Sequence, residues 1–315
     1  MQLRVRSITY LAEAVNGYEL VDPRGHDLPR FEAGAHIAVR LGDGLLRDYS
    51  LWNEPAERRR YCIAVLREKE GAASRQLHDA VRVGDLVEVS PPRNNFPLVE
   101  GATRHLFLAG GIGITPIMAM IAEMKRRRAE FVLHYCTRSP AATAFLDELG
   151  ILAAQGRVFF HHDGGDPAKG LDIAGLLRDR PPGTHLYYCG PKGMMAAAAA
   201  ASAHWPREAV HCEYFTGPAA VPPPAFAPDA AFRVRLARRG GEYEVGPGEA
   251  IIDALRRHGI DTRASCELGY CCACMTRYLS GDVNHRDQIL TDTARRDYLL
   301  ICCSRARGGV LVLDI

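Results

Sequence analysis

Three features that would place a protein in a special class are missing from this sequence of 315 residues. No apolar run approaches the ~20 residues that a transmembrane helix needs. The stretch MQLRVRSITYLAEAV alternates polar and apolar residues without an apolar segment and cleavage site, so we expect a first β-strand and not a signal peptide. Basic and acidic residues nearly balance, at 39 and 37, which argues against a nucleic-acid or membrane-surface protein. We therefore expect a soluble, cytoplasmic protein.

The ten cysteines are spread unevenly along the chain. Four are scattered, whereas six lie in the last fifty residues. Because we expect a reducing compartment, a disulfide framework is not expected and metal binding is the favoured explanation. The six clustered residues are Cys266, Cys271, Cys272, Cys274, Cys302 and Cys303.

The length predicts two or three domains. Residues 1–100 contain short apolar runs bounded by Gly, Pro, Asp or Asn, a pattern typical of a β-barrel or sandwich. From residue 104 onward strands alternate with helices, which predicts a parallel sheet with helices on both faces. Five prolines within residues 216–229 indicate a linker. We predict domains at residues 1–100, 101–217 and 230–315, with the linker at 218–229.

The cysteine spacing points to an iron–sulfur cluster. Cys266, Cys271 and Cys274 form C-x4-C-x2-C, and Cys302 follows 28 residues later, which is the plant-type 2Fe–2S spacing. A tight loop can supply three thiolates and point its N–H groups at the sulfurs, while a distant element supplies the fourth. Cys272 lies too close to Cys274 to be a ligand, but the spacing does not distinguish Cys302 from Cys303.

A zinc site with four cysteine ligands is the alternative. Structural zinc usually takes paired knuckles, and the second knuckle would have to be the adjacent pair Cys302 and Cys303. Adjacent cysteines rarely both reach one metal, so the spacing favours the iron–sulfur cluster.

A glycine-rich turn predicts a nucleotide site. In LFLAGGIGITPIMAM, Gly110, Gly111 and Gly113 lie between a predicted strand and a predicted helix, where the backbone can approach a pyrophosphate. The pattern is not G-x-G-x-x-G, so an ordinary turn remains the alternative. We predict Thr115 as the N-cap and Pro116 as the first helical residue.

A later strand ends in YYCGP, which puts Cys189, Gly190 and Pro191 at the edge where open α/β sheets bind ligands. Taken alone, Cys189 is better explained as a small buried residue. Only Arg138 is placed to meet a 2′-phosphate on the adenosine ribose, which is weak support for NADH over NADPH.

A flavin is expected between the two sites, because a hydride carrier cannot reduce a one-electron cluster directly. Without a comparison to a family, the segment RDYSLWN, which contains Arg47, Tyr49 and Ser50, predicts only a β-strand with one pair of opposite charges. In EGAASRQLHD, the turn from Gly71 to Ser74 would offer N–H and hydroxyl donors to a phosphate.

The segments SCELGYCCAC, LSGDVNHRDQILTD, LLICCSRA and LVLDI resemble the C-terminal ferredoxin domain of the phthalate dioxygenase reductase family, which includes vanillate O-demethylase oxidoreductases. In that family the last ligand is the first residue of C-x-S-R-A, which here selects Cys302. The residue after the second ligand is usually Gly and is Cys272 here, so the cluster potential and oxygen sensitivity are open to change.

The resemblance covers essentially the whole chain. AGGIGITP and CGP are similar to the NAD(P)H-binding domain of ferredoxin–NADP reductase-like proteins, where the cysteine, here Cys189, lies against the nicotinamide. The resemblance implies an antiparallel flavin β-barrel, an α/β nucleotide domain with a parallel sheet, and an α+β (β-grasp) ferredoxin domain. It also implies NADH as donor and, because the ferredoxin domain comes last, FMN.

The same resemblance assigns roles at the flavin. Arg47 would neutralise the flavin phosphate, Tyr49 would pack on the flavin face, and Ser50 would lie near N5. Phe215 matches an aromatic beside the isoalloxazine, although a core aromatic is an equal alternative. The family often has two further glycines after Gly71, where this chain has alanines, so phosphate contacts there are less certain.

These patterns predict the reductase component of a two-component Rieske-type oxygenase that hydroxylates aromatic rings or removes O- or N-methyl groups. Electrons would pass from NADH through FMN and the cluster to the oxygenase, with Ser50 and Cys189 as candidate catalytic residues. The alternatives are a zinc-binding or thiol redox-sensing module on an inactive scaffold, using Cys272 and Cys303, or a donor to another acceptor such as a haem monooxygenase.

Overall fold

The computed structural model describes residues 1–42, 46–69, 71–215, 230–260, 262, 269, 274–287, 290 and 292–315. The predicted linker at 218–229 and the predicted ligands Cys266 and Cys271 lie outside these residues, as does Cys272. The chain forms two compact units, Met1–Phe215 and Thr216–Ile315. Within the described part, no helix has the length and apolar character needed to cross a membrane.

The first unit begins with an antiparallel sheet. Its strands are β1 Gln2–Ala12, β2 Val15–Val21, β3 Ala35–Arg40, β4 Leu46–Ser50, β5 Tyr61–Leu66, β6 Leu86–Val89 and β7 Arg93–Asn94, and helix α1 Ala72–Asp79 follows β5. The order is β4-β3-β6-β1-β2-β5, with β7 paired to β3. Alternate residues of β1, such as Leu3 and Val5, face the core with Ile37 and Tyr61. The predicted strand-rich N-terminal region is confirmed.

A parallel sheet follows in the same unit. Its strands are β8 Arg104–Gly110, β9 Glu130–Thr137, β10 Val158–His162, β11 Thr184–Cys189 and β12 Val210–Glu213, and its helices are α2 Ile114–Arg127, α3 Leu146–Ala154, α4 Ile173–Leu177 and α5 Lys192–Ala201. The strand order is β10-β9-β8-β11-β12. Phe107 packs in one core and Leu108, its neighbour on β8, in another, so both faces are covered. The predicted parallel sheet is confirmed, but the short strand β12 was not predicted.

One hydrophobic core joins the antiparallel and the parallel sheets. Phe96 contacts Tyr187 with ring centroids 5.8 Å apart, and the backbone N–H of Val99 donates to the Tyr187 hydroxyl at 2.9 Å. Trp52 and Phe145 make a second aromatic contact, with centroids at 4.9 Å. These contacts explain why residues 1–215 form a single compact unit; the boundary proposed at residue 100 stays a prediction.

The second unit is an α+β domain. It contains β13 Phe232–Leu236, β14 Glu242–Val245, β15 Met275–Ser280, β16 Val283–Asn284, β17 Tyr298–Leu300, β18 Arg305–Ala306, β19 Val310–Leu313 and helix α6 Ile251–Arg257. The main sheet has the order β14-β13-β19-β15-β17, and β16 pairs with β18. Ile251 and Leu255 of α6 are buried with Val234 and Leu311 of the sheet. This is the helix-on-sheet arrangement expected of the ferredoxin domain.

Histidine pairs in the parallel sheet generate a prediction about pH. The ring nitrogens of His134 and His161 lie 3.0 Å apart, and those of His185 and His211 3.1 Å apart. Burial lowers the pKa of His134 and His211 to about 4, below the ordinary value of 6.5. The unfolded chain therefore binds more protons between these values, and stability present above pH 6.5 should be lost as the pH falls toward 4.

Thermal unfolding measured from pH 7 to pH 4.5 tests this expectation, with a melting temperature that falls steadily. The double variant His134→Gln/His211→Gln removes both groups and should show a flatter dependence. An equally steep dependence in that variant would contradict the assignment to these two histidines.

Candidate active site and cluster site

The structure brings the two predicted nucleotide loops together. A β-carbon on Gly113 would overlap the carbonyl group of Cys189, and one on Gly190 would lie 3.0 Å from the Cα of Gly110. Glycine is therefore required here because one turn packs its backbone on the other. Gly111 differs, since its φ of +52° is left-handed and a β-carbon there would meet nothing within 4 Å. The turn geometry, and not a close neighbour, accounts for Gly111.

The predicted helix start was wrong by two positions. A 3-10 turn at Gly111–Gly113 runs directly into α2, so Gly113 is the N-cap and Ile114 the first helical residue. Thr115 and Pro116 are therefore the second and third helical residues. The Thr115 hydroxyl donates to the Ile112 carbonyl at 3.0 Å instead of accepting from the helix. The 3-10 turn leads the backbone directly into α2, so the helix starts without the side-chain cap that Thr115 was expected to provide.

Cys189 ends β11 and is fully buried. Burial raises the pKa of its thiol well above the ordinary value, and the Glu213 carboxyl adds to the shift. The thiol is therefore neutral and not a nucleophile. Contact between Cys189 and a nicotinamide stays a prediction, as do the roles of Pro191, the N-cap of α5, and of exposed Arg138, next to the last residue of β9.

A polar cluster that sequence reasoning missed lies beside Cys189. The β11–β12 pairing puts Glu213 opposite Cys189, and the Ser50 hydroxyl donates to Glu213 Oε2 at 3.3 Å. Burial, opposed by the Ser50 hydrogen bond, raises the pKa of Glu213 to about 8. His36 lies opposite Ser50 across β3 and β4, with its Nδ1 3.7 Å from Glu213 Oε1. The only sequence signal for Glu213 was its place in CEYF, two residues before Phe215.

The other predicted flavin residues lie on β4 and at the start of α1. Tyr49 packs against the barrel core, and burial raises its pKa, with the Arg47 cation opposing the shift. The expected glycine turn is instead the start of a helix, with Gly71 as N-cap. Alanines in place of glycines favour the helical conformation there. Ser74 donates to the Gly71 carbonyl at 3.0 Å and accepts from the Glu68 N–H at 3.2 Å.

Phe215 is the last described residue of the first unit, and it is 42 % exposed. This exposure excludes the alternative of a core aromatic. An exposed ring two residues beyond Glu213 is available to cover a ligand, and its place beside the isoalloxazine stays a prediction.

The second unit brings two predicted cluster ligands together. Cys274 directly precedes β15, and Cys302 lies two residues after β17. These strands pair with Met275 opposite Leu300, and the Ile301 N–H donates to the Cys274 carbonyl at 3.4 Å. Both cysteines are buried. Sulfur donors from two paired strands fit half of a site with four cysteine ligands.

Cys303 occupies a different position. Its Sγ lies 3.7 Å from the Leu300 carbonyl oxygen, and a β-carbon on Gly269 would approach it to 2.7 Å. Gly269 also has a φ of +81°. Both this left-handed backbone conformation and the lack of space beside Cys303 Sγ favour glycine at this position. The Cys303 thiol therefore packs against the loop backbone. No group of three or more metal-binding side chains occurs among the described residues, which include only two of the four predicted ligands.

Two protein families match parts of the chain. The oxidoreductase NAD-binding domain matches residues 107–200, and the 2Fe-2S iron-sulfur cluster binding domain matches residues 234–307. These ranges contain the paired glycine loops and the two buried cysteines described above.

Full-length relatives share the whole arrangement. The chain is 49 % identical to the tert-butanol monooxygenase / tert-amyl alcohol desaturase reductase subunit of Aquincola tertiaricarbonis, covering 100 % of this chain and 96 % of the relative. It is 39 % identical to phthalate dioxygenase reductase of Burkholderia cepacia, covering 100 % and 97 %. A solved structure of phthalate dioxygenase reductase, described as modular for electron transfer from pyridine nucleotides to [2Fe-2S], superposes with a TM-score of 0.71 at 38 % identity, covering 100 % and 98 %.

A self-sufficient cytochrome P450 monooxygenase contains a similar segment. Its structure matches 100 % of this chain at 36 % identity with a TM-score of 0.84, but only 41 % of that longer chain is covered. The same arrangement of domains is therefore found fused to a haem enzyme.

The two adjacent cysteines generate a prediction about ligand choice. Cys302→Ser should lose the cluster, because Cys302 follows the strand that pairs beside Cys274, whereas Cys303→Ser should keep it. Iron content and visible absorption of the two purified variants, at matched protein concentration, measure the outcome. Loss of iron from Cys303→Ser with retention in Cys302→Ser would mean that the neighbouring thiol is the ligand.

Proposed function

The chain belongs to the phthalate dioxygenase reductase family, and on that basis we propose that it is the reductase component of a two-component Rieske-type oxygenase. It is an oxidoreductase that uses NAD(H) and carries a 2Fe–2S cluster. The observation that carries the proposal is full-length similarity to phthalate dioxygenase reductase together with the nucleotide loops packed beside Ser50 and Glu213. A zinc module on an inactive scaffold is disfavoured by the same similarity.

The site residues have distinct tasks in this proposal. The glycine turns after β8 and β11 would hold the nicotinamide nucleotide at the carboxyl edge of the parallel sheet. Arg47 and the N-terminus of α1 would bind the flavin phosphate. A bound flavin accepts the two electrons of NADH together and passes them on singly. Ser50 and Glu213 would hold a proton beside the ring, because a carboxyl with a pKa of about 8 exchanges protons near neutral pH.

Two finer assignments belong to the proposal. The flavin is proposed to be FMN, because the ferredoxin domain comes last in the chain and the family resemblance associates that domain order with FMN. The thiolates of Cys266, Cys271, Cys274 and Cys302 are proposed as cluster ligands. A cytoplasmic location also stays a prediction.

The electron acceptor is proposed to be a Rieske-type oxygenase that hydroxylates or demethylates small organic molecules. The names of the relatives, which are reductases of a dioxygenase and a monooxygenase, support an oxygenase partner. The second unit's residues include 13 Arg, no Lys and 11 acidic residues from 230 onward, so it lacks the strongly acidic face of a free plant ferredoxin. The haem acceptor is the second candidate, favoured by the P450 fusion.

The cofactor content is directly testable. Freshly purified protein should show flavin and iron–sulfur absorption together, and NADH should bleach both. Heat-released flavin should elute as FMN on chromatography. Release of FAD would contradict only the FMN assignment, whereas a colourless protein containing zinc would overturn the reductase proposal.

The acceptor is tested by reconstitution. NADH oxidation coupled to product formation should occur with the co-purifying or co-encoded Rieske-type oxygenase. A haem monooxygenase assayed at equal concentration should be reduced more slowly. Faster coupled turnover with the haem enzyme would move the assignment to the second candidate and leave the electron path inside the chain unchanged.

A further inference from the structure

A buried imidazole with one unpartnered ring nitrogen, judged over the described part of the chain, lies next to the proposed flavin site. His36 on β3 is 2 % exposed, and its Nε2 has no hydrogen-bond partner among the described residues. Buried polar atoms in folded proteins are nearly always partnered, so this nitrogen needs an explanation. A histidine that only fills space in the core would be expected to satisfy both ring nitrogens.

His36 lies between two carboxyl groups. Its Nδ1 is 3.7 Å from Glu213 Oε1, and its Nε2 is 3.9 Å from Asp48 Oδ2. Asp48 and Ser50 are two residues apart on β4, so their side chains point to the same face as His36 on the paired strand. Ser50, His36 and Asp48 on these two strands, together with Glu213 on β12, therefore form a row of neighbouring polar side chains.

The row leads from the buried site to solvent. Ser50 and His36 are buried, the Glu213 side chain is 11 % exposed, and the Asp48 side chain is 34 % exposed. Each gap beyond the Ser50–Glu213 hydrogen bond exceeds hydrogen-bond length by less than an ångström. Such a gap closes through one bridging water or a small side-chain rotation.

The proposed reaction produces one proton at this place. NADH delivers a hydride, which is one proton and two electrons, and the two electrons leave singly to the cluster. One proton per NADH therefore has to leave the buried site, so that NADH yields NAD⁺, two electrons and H⁺. Solvent does not reach Ser50 directly, because it is buried.

We propose that His36 and Asp48 form the outer half of a proton-release path that begins at Ser50 and Glu213. This inference rests on the proposed function, because it requires a flavin beside Ser50. The proton moves from the Ser50–Glu213 pair to Nδ1 of His36. The imidazole, which at rest carries its proton on Nε2, then gives that proton to Asp48, from which it reaches solvent. Tautomer exchange moves the proton left on Nδ1 back to Nε2 before the next turnover.

The charged groups around His36 favour a histidine that passes protons on over a histidine that stays protonated. The titratable and charged groups that face it are Asp48 on β4, Arg93 on β7 and Glu213 on β12. Burial lowers the pKa of His36, Asp48 opposes that shift and Arg93 adds to it. The imidazole is therefore neutral at rest, and it is charged only while a proton passes.

Rapid mixing with NADH tests the path. The holoprotein is mixed with NADH and excess ferricyanide as one-electron acceptor, and a pH-indicator dye reports proton release while absorbance reports electron transfer. In His36→Gln, proton release should lag electron transfer by roughly 10- to 100-fold, with flavin content unchanged. Asp48→Asn should also lag, whereas Asp48→Glu, which keeps the carboxylate, and His26→Gln, on exposed His26, should match wild type.

A second measurement needs no turnover. The infrared band of the protonated Glu213 carboxyl, identified by its absence in Glu213→Gln, shifts when the protein is transferred to D₂O. Exchange should be slower in His36→Gln than in wild type and unchanged in His26→Gln.

Equal proton release and equal exchange in His36→Gln and wild type would overturn the path while leaving the reductase function intact. Proton release as fast in Asp48→Asn as in wild type would also overturn it, because the carboxylate would then be irrelevant. A wild-type protein that NADH does not reduce would overturn the proposed function, and the path with it.

Discussion

Contact between two turns, one after β8 and one after β11, determines the geometry of the proposed active site. Each backbone approaches the other so closely that Gly113 and Gly190 leave no space for a β-carbon. The Tyr135 hydroxyl fixes the first turn further by donating to the Gly111 carbonyl at 3.1 Å. The β11–β12 ladder holds Cys189 opposite Glu213, and the contact of Gly113 with the Cys189 carbonyl sets the position of the first turn against that pair.

The hydrophobic core shared by the two sheets positions the residues that β4 contributes to the site. Trp52 lies two residues after Ser50, and its packing on Phe145 draws the end of β4 toward the parallel sheet. Phe145 has a φ of 60°, which is uncommon for an aromatic residue and costs of order 1–3 kcal/mol. Full burial of the Phe145 side chain contributes about 1.5–3 kcal/mol, which is comparable to that strain. The Ser50–Glu213 hydrogen bond, between residues 163 positions apart, depends on this packing.

In the second unit, the pairing of two strands positions the candidate cluster ligands, as the packed turns position the candidate site residues in the first unit. Pairing of Met275 with Leu300 places Cys274 and Cys302 at the same end of β15 and β17. Cys302 therefore lies at the Cys274 end of the two strands, whereas the adjacent Cys303 packs against Gly269.

Features that depend on neighbours along the chain could be predicted from the amino-acid sequence. Cysteine spacing, strand alternation, the glycine turns and the proline-rich segment are local patterns, and they predicted the class of each domain and the cofactor chemistry. The cluster of His36, Ser50 and Glu213 emerged only from the fold, because Glu213 lies 163 positions after Ser50 and neither His36 nor Glu213 has a local signature that links it to Ser50. The helical start at Gly71 and the early start of α2 were also decided by structure, since helix ends depend on small differences in turn geometry.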